Sequence, residues 1–295
     1  MNSNPLVSVI IATYNRDYCI DRAIKSVIDQ TYQNWELLII DNNSQDNTDK
    51  VVASFDDPRI SMHKILNGGI VAKSRNLGIQ LSSGKFIAIL DSDDSWTEKK
   101  LEKSILILIN GADVVYHDLY LKGLSFISSF SKRRLKARSL ASPVFDDLWF
   151  NGNAINNSSV VLSKELLIKA GSFSEDPDVL TAEDYFCWLE LSKLTEKFIK
   201  INVVMGFYWI GDNMTSSDKT LESNNYLINV FGNKDYPNEM PGWMHYKNSR
   251  ALLETERFQS SADQALRAMR AQIPIKLKIK ALITWFHSKL LFKFH

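Results

Sequence analysis

Asp91, Asp93 and Asp94 crowd three carboxylates into four consecutive positions, directly after the apolar run Phe86-Ile87-Ala88-Ile89-Leu90. Packed that closely, carboxylates repel one another at neutral pH, so a positive partner explains the cluster, and a hard divalent cation suits all-oxygen ligands. A cation at the carboxyl end of a strand in turn points to a phosphate-bearing ligand beside it. The alternative is a strand that simply runs into an acidic, solvated turn. Other apolar runs also end in polar residues: Thr13-Tyr14-Asn15-Arg16 follows the first, and Asp41 closes the second. Far downstream a further acidic pair, Glu183-Asp184, stands immediately before Tyr185-Phe186-Cys187-Trp188-Leu189. This pair offers carboxylates beside aromatic side chains, or it serves only as first-turn acids that favour a helix dipole.

These groups need a scaffold, and the hydrophobic pattern predicts one. Val7-Ser8-Val9-Ile10-Ile11-Ala12 is the β-branched run of a parallel strand buried on both faces. Ile20, Ala23, Ile24, Val27 and Ile28 then share one helical stripe, and Trp35 to Asp41 returns to strand character. Asn42 to Thr48 supplies a turn and helix start, Val51 to Phe55 a short helical face, and Ile60 to Ile65 a third strand. A helix over about Ile70 to Leu81 follows, with Gly84 placed to close it in a left-handed conformation. Strand Phe86 to Leu90 then delivers the acidic cluster. Alternating strands and helices imply a parallel sheet covered on both faces, with its ligand crevice outside the strands' carboxyl ends. Thr13, Tyr14, Arg16, Asp41 and the 91–94 cluster all fall at those ends. No G-x-G-x-x-G follows the first strand and no G-x-x-x-x-G-K-[ST] occurs, which excludes the usual dinucleotide dehydrogenase and P-loop signatures.

Composition sets the outer limits. A chain of 295 residues holds one large or two modest domains, and a formal net charge of +1 gives it no general attraction for nucleic acid. Cys19 and Cys187 lack C-x-x-C spacing and read as buried free thiols of a reducing compartment. No basic n-region opens the chain and no run approaches the roughly 20 apolar residues of a membrane span, so the expected location is the cytoplasmic side.

VSVIIATYNR, ELLIIDNNSQDNT, NGGIVAKSRNLGIQLSSGKFIAILDSDDSW and TAEDYFCWLEL, in that order across roughly residues 5 to 210, resemble glycosyltransferase family two. The resemblance implies a GT-A fold, a Rossmann-like nucleotide-binding sheet with a parallel core and helices on both faces. It also implies a nucleotide-diphospho-sugar donor, Mn2+ or Mg2+ on a D-x-D motif, and an inverting single displacement. On that likeness Tyr14 packs on the donor base and Asp41 hydrogen-bonds the base's imide, which favours uracil. Thr13 belongs to the same donor-binding loop, and Arg16 and Arg75 approach the phosphates. Asp93 is the direct metal ligand, Asp91 lies nearer the ribose, Asp94 orients the site, Asp184 is the general base and Glu183 its neighbour. Without the resemblance, Tyr14 reads as a turn aromatic, Asp41 as a helix cap and Arg75 as a solvated charge.

The chain departs from the family at several points. Asp41-Asn42-Asn43-Ser44 stands where Asp-Asp-Gly-Ser is common, Glu190 where Arg is frequent, and a His usual after the later Tyr-containing strand is absent, with Asp212 a substitute. The Q-x-x-R-W signature of processive synthases is missing, so one sugar per encounter is expected. Aromatics at 118–160 and 205–245, among them Tyr120, Phe126, Phe130, Trp149, Tyr236 and Trp243, suit either sugar stacking or a core.

Two basic segments remain. Lys132 to Arg138 packs five cations into seven residues, either as a solvated loop or as a contact to anionic lipid or an acceptor pyrophosphate. From Pro274 onward there are lysines and no acid, with Ile275, Ile279, Leu282, Ile283, Phe286 and Leu290 on one helical face, as in a helix lying in a membrane interface. Packing on the catalytic domain is the alternative, and Ile273 to Lys280 also alternates like a strand. The expected organisation is a nucleotide-sugar half at 1–95, an acceptor half at 96–215, and a helical extension at 216–295 whose membrane-associating tail spans about 270–295.

The expected activity is transfer of one hexose, from UDP-glucose, UDP-galactose or an N-acetylated relative, to a polyprenyl pyrophosphate-linked oligosaccharide. The resemblance sets this in O-antigen or capsule assembly, by a protein held peripherally on the inner face of the cytoplasmic membrane. A nucleotide-sugar-binding scaffold and a sugar nucleotidyltransferase are the alternatives. The latter would need a Gly-rich loop after the first strand, and Thr13-Tyr14-Asn15-Arg16 has no glycine.

Overall fold

The computed structural model describes residues 4–123, 133–211, 216–232 and 240–293. Phe126, Phe130, Lys132, Asp212 and Tyr236 lie outside the described residues. The chain divides into two units, the first made of Met1–Val144, Ala154–Phe173 and Glu190–Asn213, the second of Phe145–Asn153, Ser174–Leu189 and Met214–His295.

The first unit is built on β1 (Val7–Thr13), β2 (Trp35–Asp41), β3 (Ile60–Lys64) and β4 (Phe86–Ile89), which pair in parallel in the order β3-β2-β1-β4. Register sets Thr13 against Asp41, so both strands end at one level. Beyond β4 the sheet turns mixed: β8 (Val161–Ser163) runs antiparallel to both β4 and β6 (Val114–Gly123), β9 (Phe198–Ile210) is parallel to β6, and β5 (Ser95–Trp96) closes the far edge. A short β7 (Arg134–Leu135) pairs with β6 off this path.

Helices α1 (Ile20–Ile28), α2 (Thr48–Ala53), α3 (Val71–Leu81) and α4 (Lys100–Ile109) supply the crossovers and cover. The α1 stripe of Ile20, Ala23, Ile24 and Val27 is fully buried against Val7, Val9, Ile11, Leu37 and Ile39. Ile10 projects to the opposite face, where α3 approaches so closely that a Cβ on Gly78 would lie 2.6 Å from its Cγ2. The parallel core and its cover on both faces thus follow from strands apolar on each side.

Gly84 acts differently from the expectation. Helix α3 is followed by extended Ser82, and the glycine is required because an added Cβ would stand 2.6 Å from the backbone N of Ser8 and 2.9 Å from Leu6 O. Close backbone approach, not a left-handed φ, selects the residue.

The second unit is helical. It holds most of α5 (Val144–Asn151), the start of α7 (Glu183–Ser192), α8 (Ser217–Leu227) with a π-turn at Ile228–Gly232, then α9 (Gly242–Glu254), α10 (Phe258–Arg270) and α11 (Ile275–Phe292). The intervening α6 (Lys164–Lys169) belongs to the first unit. Trp149 and Trp243, left open by sequence between sugar stacking and core, prove to be core here: Trp149 packs edge-to-face on Phe231 and Trp243 on Tyr185, all four buried. Helices α10 and α11 meet through small residues, Ser261, Ala262, Ala265 and Ala268 against Ala281, Thr284 and Ser288, with Ser261 and Ser288 hydroxyls 2.8 Å apart. Residues 275–280 are helical, so the strand alternative for that stretch does not hold.

Candidate active site

Strand β4 carries the chain to Leu90 in the core and releases it as Asp91 at the sheet's carboxyl edge. Asp91 is held firmly. Its backbone N–H donates to Ser158 Oγ at 3.1 Å, and one carboxylate oxygen accepts from Arg75 Nη2 at 2.9 Å and from Asn157 Nδ2 at 3.2 Å. Arg75 is buried on α3, not the solvated charge of its alternative reading, with its guanidinium over the Phe173 ring. It neutralises Asp91, and hydrogen bonds to an ionised partner are the strong ones.

The Asp93 carboxylate forms no ion pair among the described residues. Burial, and then the charge of Asp91, push its pKa above the ordinary carboxylate range, while Arg16 and Arg22 oppose the shift. Arg22 also donates to the backbone carbonyl of Asp93 at 2.5 Å and lies 4.0 Å from the ring centre of Trp209. Asp94 is buried and accepts the Trp209 amide at 2.9 Å, tying the acidic turn to β9. Burial and the Asp91 charge raise its pKa well above the usual range, with Asp93 adding to the effect. Sequence missed Arg22, Asn157, Ser158 and Trp209 as supports. They lie between 62 and 115 positions from the residues they touch or in unrelated elements, so no local spacing signals them.

The neighbouring strand ends form a laced pair of loops. Asn15 has a positive φ of 51°; its amide donates to Ser44 Oγ at 2.8 Å, and its side-chain oxygen accepts the Gln45 amide at 2.8 Å. The Arg16 amide donates to Thr48 Oγ1 at 2.9 Å. Fully buried Asp41 accepts the Ser44 amide at 3.0 Å and also the Ser44 hydroxyl, bonds that fix the turn after β2; it does not cap α2, whose N-cap is Asn47. Asn42, where the family commonly has a second Asp, accepts the Asn67 amide at 2.9 Å. Thr13 is buried, while the Tyr14 side chain stands 51% exposed beside it, so an aromatic face is free at the end of β1.

Glu183 and Asp184 open α7 in the second unit. Asp184 accepts from Asn153 Nδ2 at 3.3 Å and from the Tyr185 amide at 2.6 Å, and lines a cavity of about 90 Å³ with Thr181, Trp243 and Lys247. Glu190 pairs with Lys193 at 2.9 Å. A larger groove of about 800 Å³ runs along α1, β5 and β9; Arg22 lines it, but Tyr14, Asp41, Asp91 and Asp93 do not.

A hard divalent cation fits this donor set. Among the described residues no group of three His, Cys, Asp or Glu side chains is placed to hold a metal ion by itself. Two neighbouring carboxylates, one oriented by an arginine and the other raised in pKa by burial and by the first, match a metal that draws its remaining ligands from water and substrate phosphate.

The model of a family described as Glycosyl transferase family 2 matches residues 8–150. WfgD of Escherichia coli, a UDP-Glc:alpha-D-GlcNAc-diphosphoundecaprenol beta-1,3-glucosyltransferase, is 33% identical over 221 residues, covering 74% of this chain and 82% of that protein. S. aureus TarS 1–349 in complex with UDP-GlcNAc superposes with a TM-score of 0.60 at 14% identity, over 97% of this chain and 91% of that one. The chain spans 54% of a longer TarS structure. The mannosyltransferase PcManGT from Pyrobaculum calidifontis, solved with GDP-Man and Mn2+, gives a TM-score of 0.61 at 15% identity, over 97% of this chain and 86% of that one. The fold of these neighbours is the GT-A fold, and this chain shares it, with a helical C-terminal region.

Proposed function

This chain belongs to glycosyltransferase family 2 and is a glycosyltransferase, and from that premise we propose that it moves one hexose, with inversion, from a UDP-sugar to a polyprenyl pyrophosphate-linked glycan in O-antigen or capsule assembly. The observation that carries the reading is the carboxylate pair at the end of β4, with Asp91 paired to Arg75 and the Asp93 carboxylate in no ion pair among the described residues. The relative's name supports a UDP-linked donor and a diphosphoundecaprenol-linked acceptor.

In this reading the exposed Tyr14 ring stacks on the uracil, Asp41 and Thr13 shape its pocket, and Arg16 faces the diphosphate. Asp93 holds Mn2+ or Mg2+, Asp91 serves the ribose side, and Arg75 keeps Asp91 in place. The bound cation supplies neutralisation of the charge that develops on the departing diphosphate oxygen. Asp184 takes the proton of the acceptor hydroxyl as that oxygen bonds to the anomeric carbon and the bond from carbon to diphosphate breaks, releasing UDP. A base so positioned contributes about 10² to 10⁴-fold. Glu183 adjoins the acceptor.

UDP release from UDP-glucose, UDP-galactose and UDP-N-acetylglucosamine, measured with Mn2+ and a polyprenyl pyrophosphate-linked acceptor, tests the reading. Asp93→Ala is expected to reduce release to background while the protein still melts cooperatively. Wild-type rates in that variant, or wild-type rates in excess EDTA, would overturn the metal-dependent mechanism.

A further inference from the structure

Helix α11 packs by the face opposite to the one its composition suggests. The buried positions are Ala281, Thr284 and Ser288, a small, polar-tolerant seam fitted to α10 through the Ser261–Ser288 hydroxyl contact. At 3.6 residues per turn the reverse side carries Ile275, Ile279, Leu282, Ile283, Phe286 and Leu290. These large side chains are between 41% and 73% exposed, on a helix that already has its packing partner. Exposed apolar side chains scattered singly need no explanation, but a continuous stripe on one helix marks a surface that something covers.

The charges say what covers it. The lysines sit along both borders of the stripe, Lys276 and Lys280 on one flank, Lys278 and Lys289 on the other, and no Asp or Glu occurs from residue 264 onward. A second copy of the chain fits poorly: a heptad seam through Ile275, Ile279, Leu282 and Phe286 continues to Lys289 and Lys293, which would bring ammonium groups together at core positions. A bilayer with anionic headgroups fits well. It accepts the apolar stripe among its acyl chains and places the flanking lysines at the phosphate level, where their long stems can reach. The helix has 18 residues and roughly 27 Å of length but carries lysines along it, and no described helix is long and apolar enough to cross a membrane.

We propose that α11 is a membrane-surface docking element that lies flat on anionic lipid, with Ile279, Ile283 and Phe286 inserted and the four flanking lysines on the headgroups. The surface needs neither donor nor acceptor, so its failure would leave the transferase reading standing.

Flotation of the full chain with vesicles tests it. The protein is expected to float with vesicles of phosphatidylglycerol and phosphatidylethanolamine, and at least 10-fold less with pure phosphatidylcholine. Ile283→Ser combined with Phe286→Ser should cut flotation about 10-fold or more, and Lys278→Gln combined with Lys289→Gln should weaken it and flatten its salt dependence. All four substitutions are on exposed or half-exposed positions, and circular dichroism of each variant is the check that the helices persist. Absence of wild-type flotation, or flotation unchanged in the folded serine variant, would overturn the proposal. So would light scattering that showed a dimer in lipid-free buffer which those serines dissociate, because the stripe would then belong to a second copy.

Discussion

At the scale of single residues, the site depends on unequal treatment of like groups. Asp91, Asp93 and Asp94 stand within four positions, yet Asp91 is paired with Arg75, Asp94 accepts the Trp209 amide, and Asp93 is raised in pKa by burial and by Asp91. Sequence spacing shows three equivalent acids; only their partners separate them. A different residue offers a clean pH test. His117 on β6 is fully buried, and burial, together with the nearby Lys100 charge, lowers its pKa to about 3. The folded protein therefore keeps it neutral, while the unfolded chain takes up a proton below about pH 6.5. The unfolded state then binds more protons, so stability falls as pH drops from 6.5 toward 3, by up to about 1.4 kcal/mol per pH unit from this group. Urea melts across that range should show His117→Gln losing stability less steeply than wild type, and equal slopes would refute the assignment.

At the scale of elements, strand ends do the positioning and helices fix the strand ends. Arg22 on α1 grips the Asp93 carbonyl, and α3 delivers Arg75 to Asp91 because Gly78 lets that helix sit close on Ile10. Helix α1 was legible in the spacing of Ile20, Ala23, Ile24 and Val27, since a stripe that buries itself leaves a period. The role of Gly84 was not legible, because helix termination and close approach both select glycine. Gly84→Ala distinguishes them: a Cβ against the backbone of Ser8 and Leu6 forces the start of β1 to shift, and overpacking of that kind costs about 1 to 3 kcal/mol. A lower urea midpoint for the alanine variant is the expected result. An unchanged midpoint would mean the two strands tolerate separation there.

At the scale of the whole molecule, donor recognition is a property of the folded state and can be read through its stability. A ligand that binds only the native protein at about 100 times its Kd stabilises it by about 2.7 kcal/mol. The thermal midpoint should therefore rise with UDP and Mn2+ together, rise less with UDP alone, and stay near its starting value with GDP and Mn2+. Equal protection by GDP would remove the uracil assignment made for Tyr14 and Asp41. The sequence by itself determined the family, the parallel core and the placement of Asp41 and Asp91 at strand ends, because buried parallel strands write continuous apolar runs and end where polarity begins. It also predicted that the C-terminal lysines and apolar residues form an amphipathic helix. Tertiary structure alone decided that Arg75 serves Asp91, that Trp149 and Trp243 are core, and that α11 turns its small residues inward and its large ones out. Those outcomes rest on contacts between residues far apart in the chain, and a contact across such a distance leaves no period in the sequence from which it could be read.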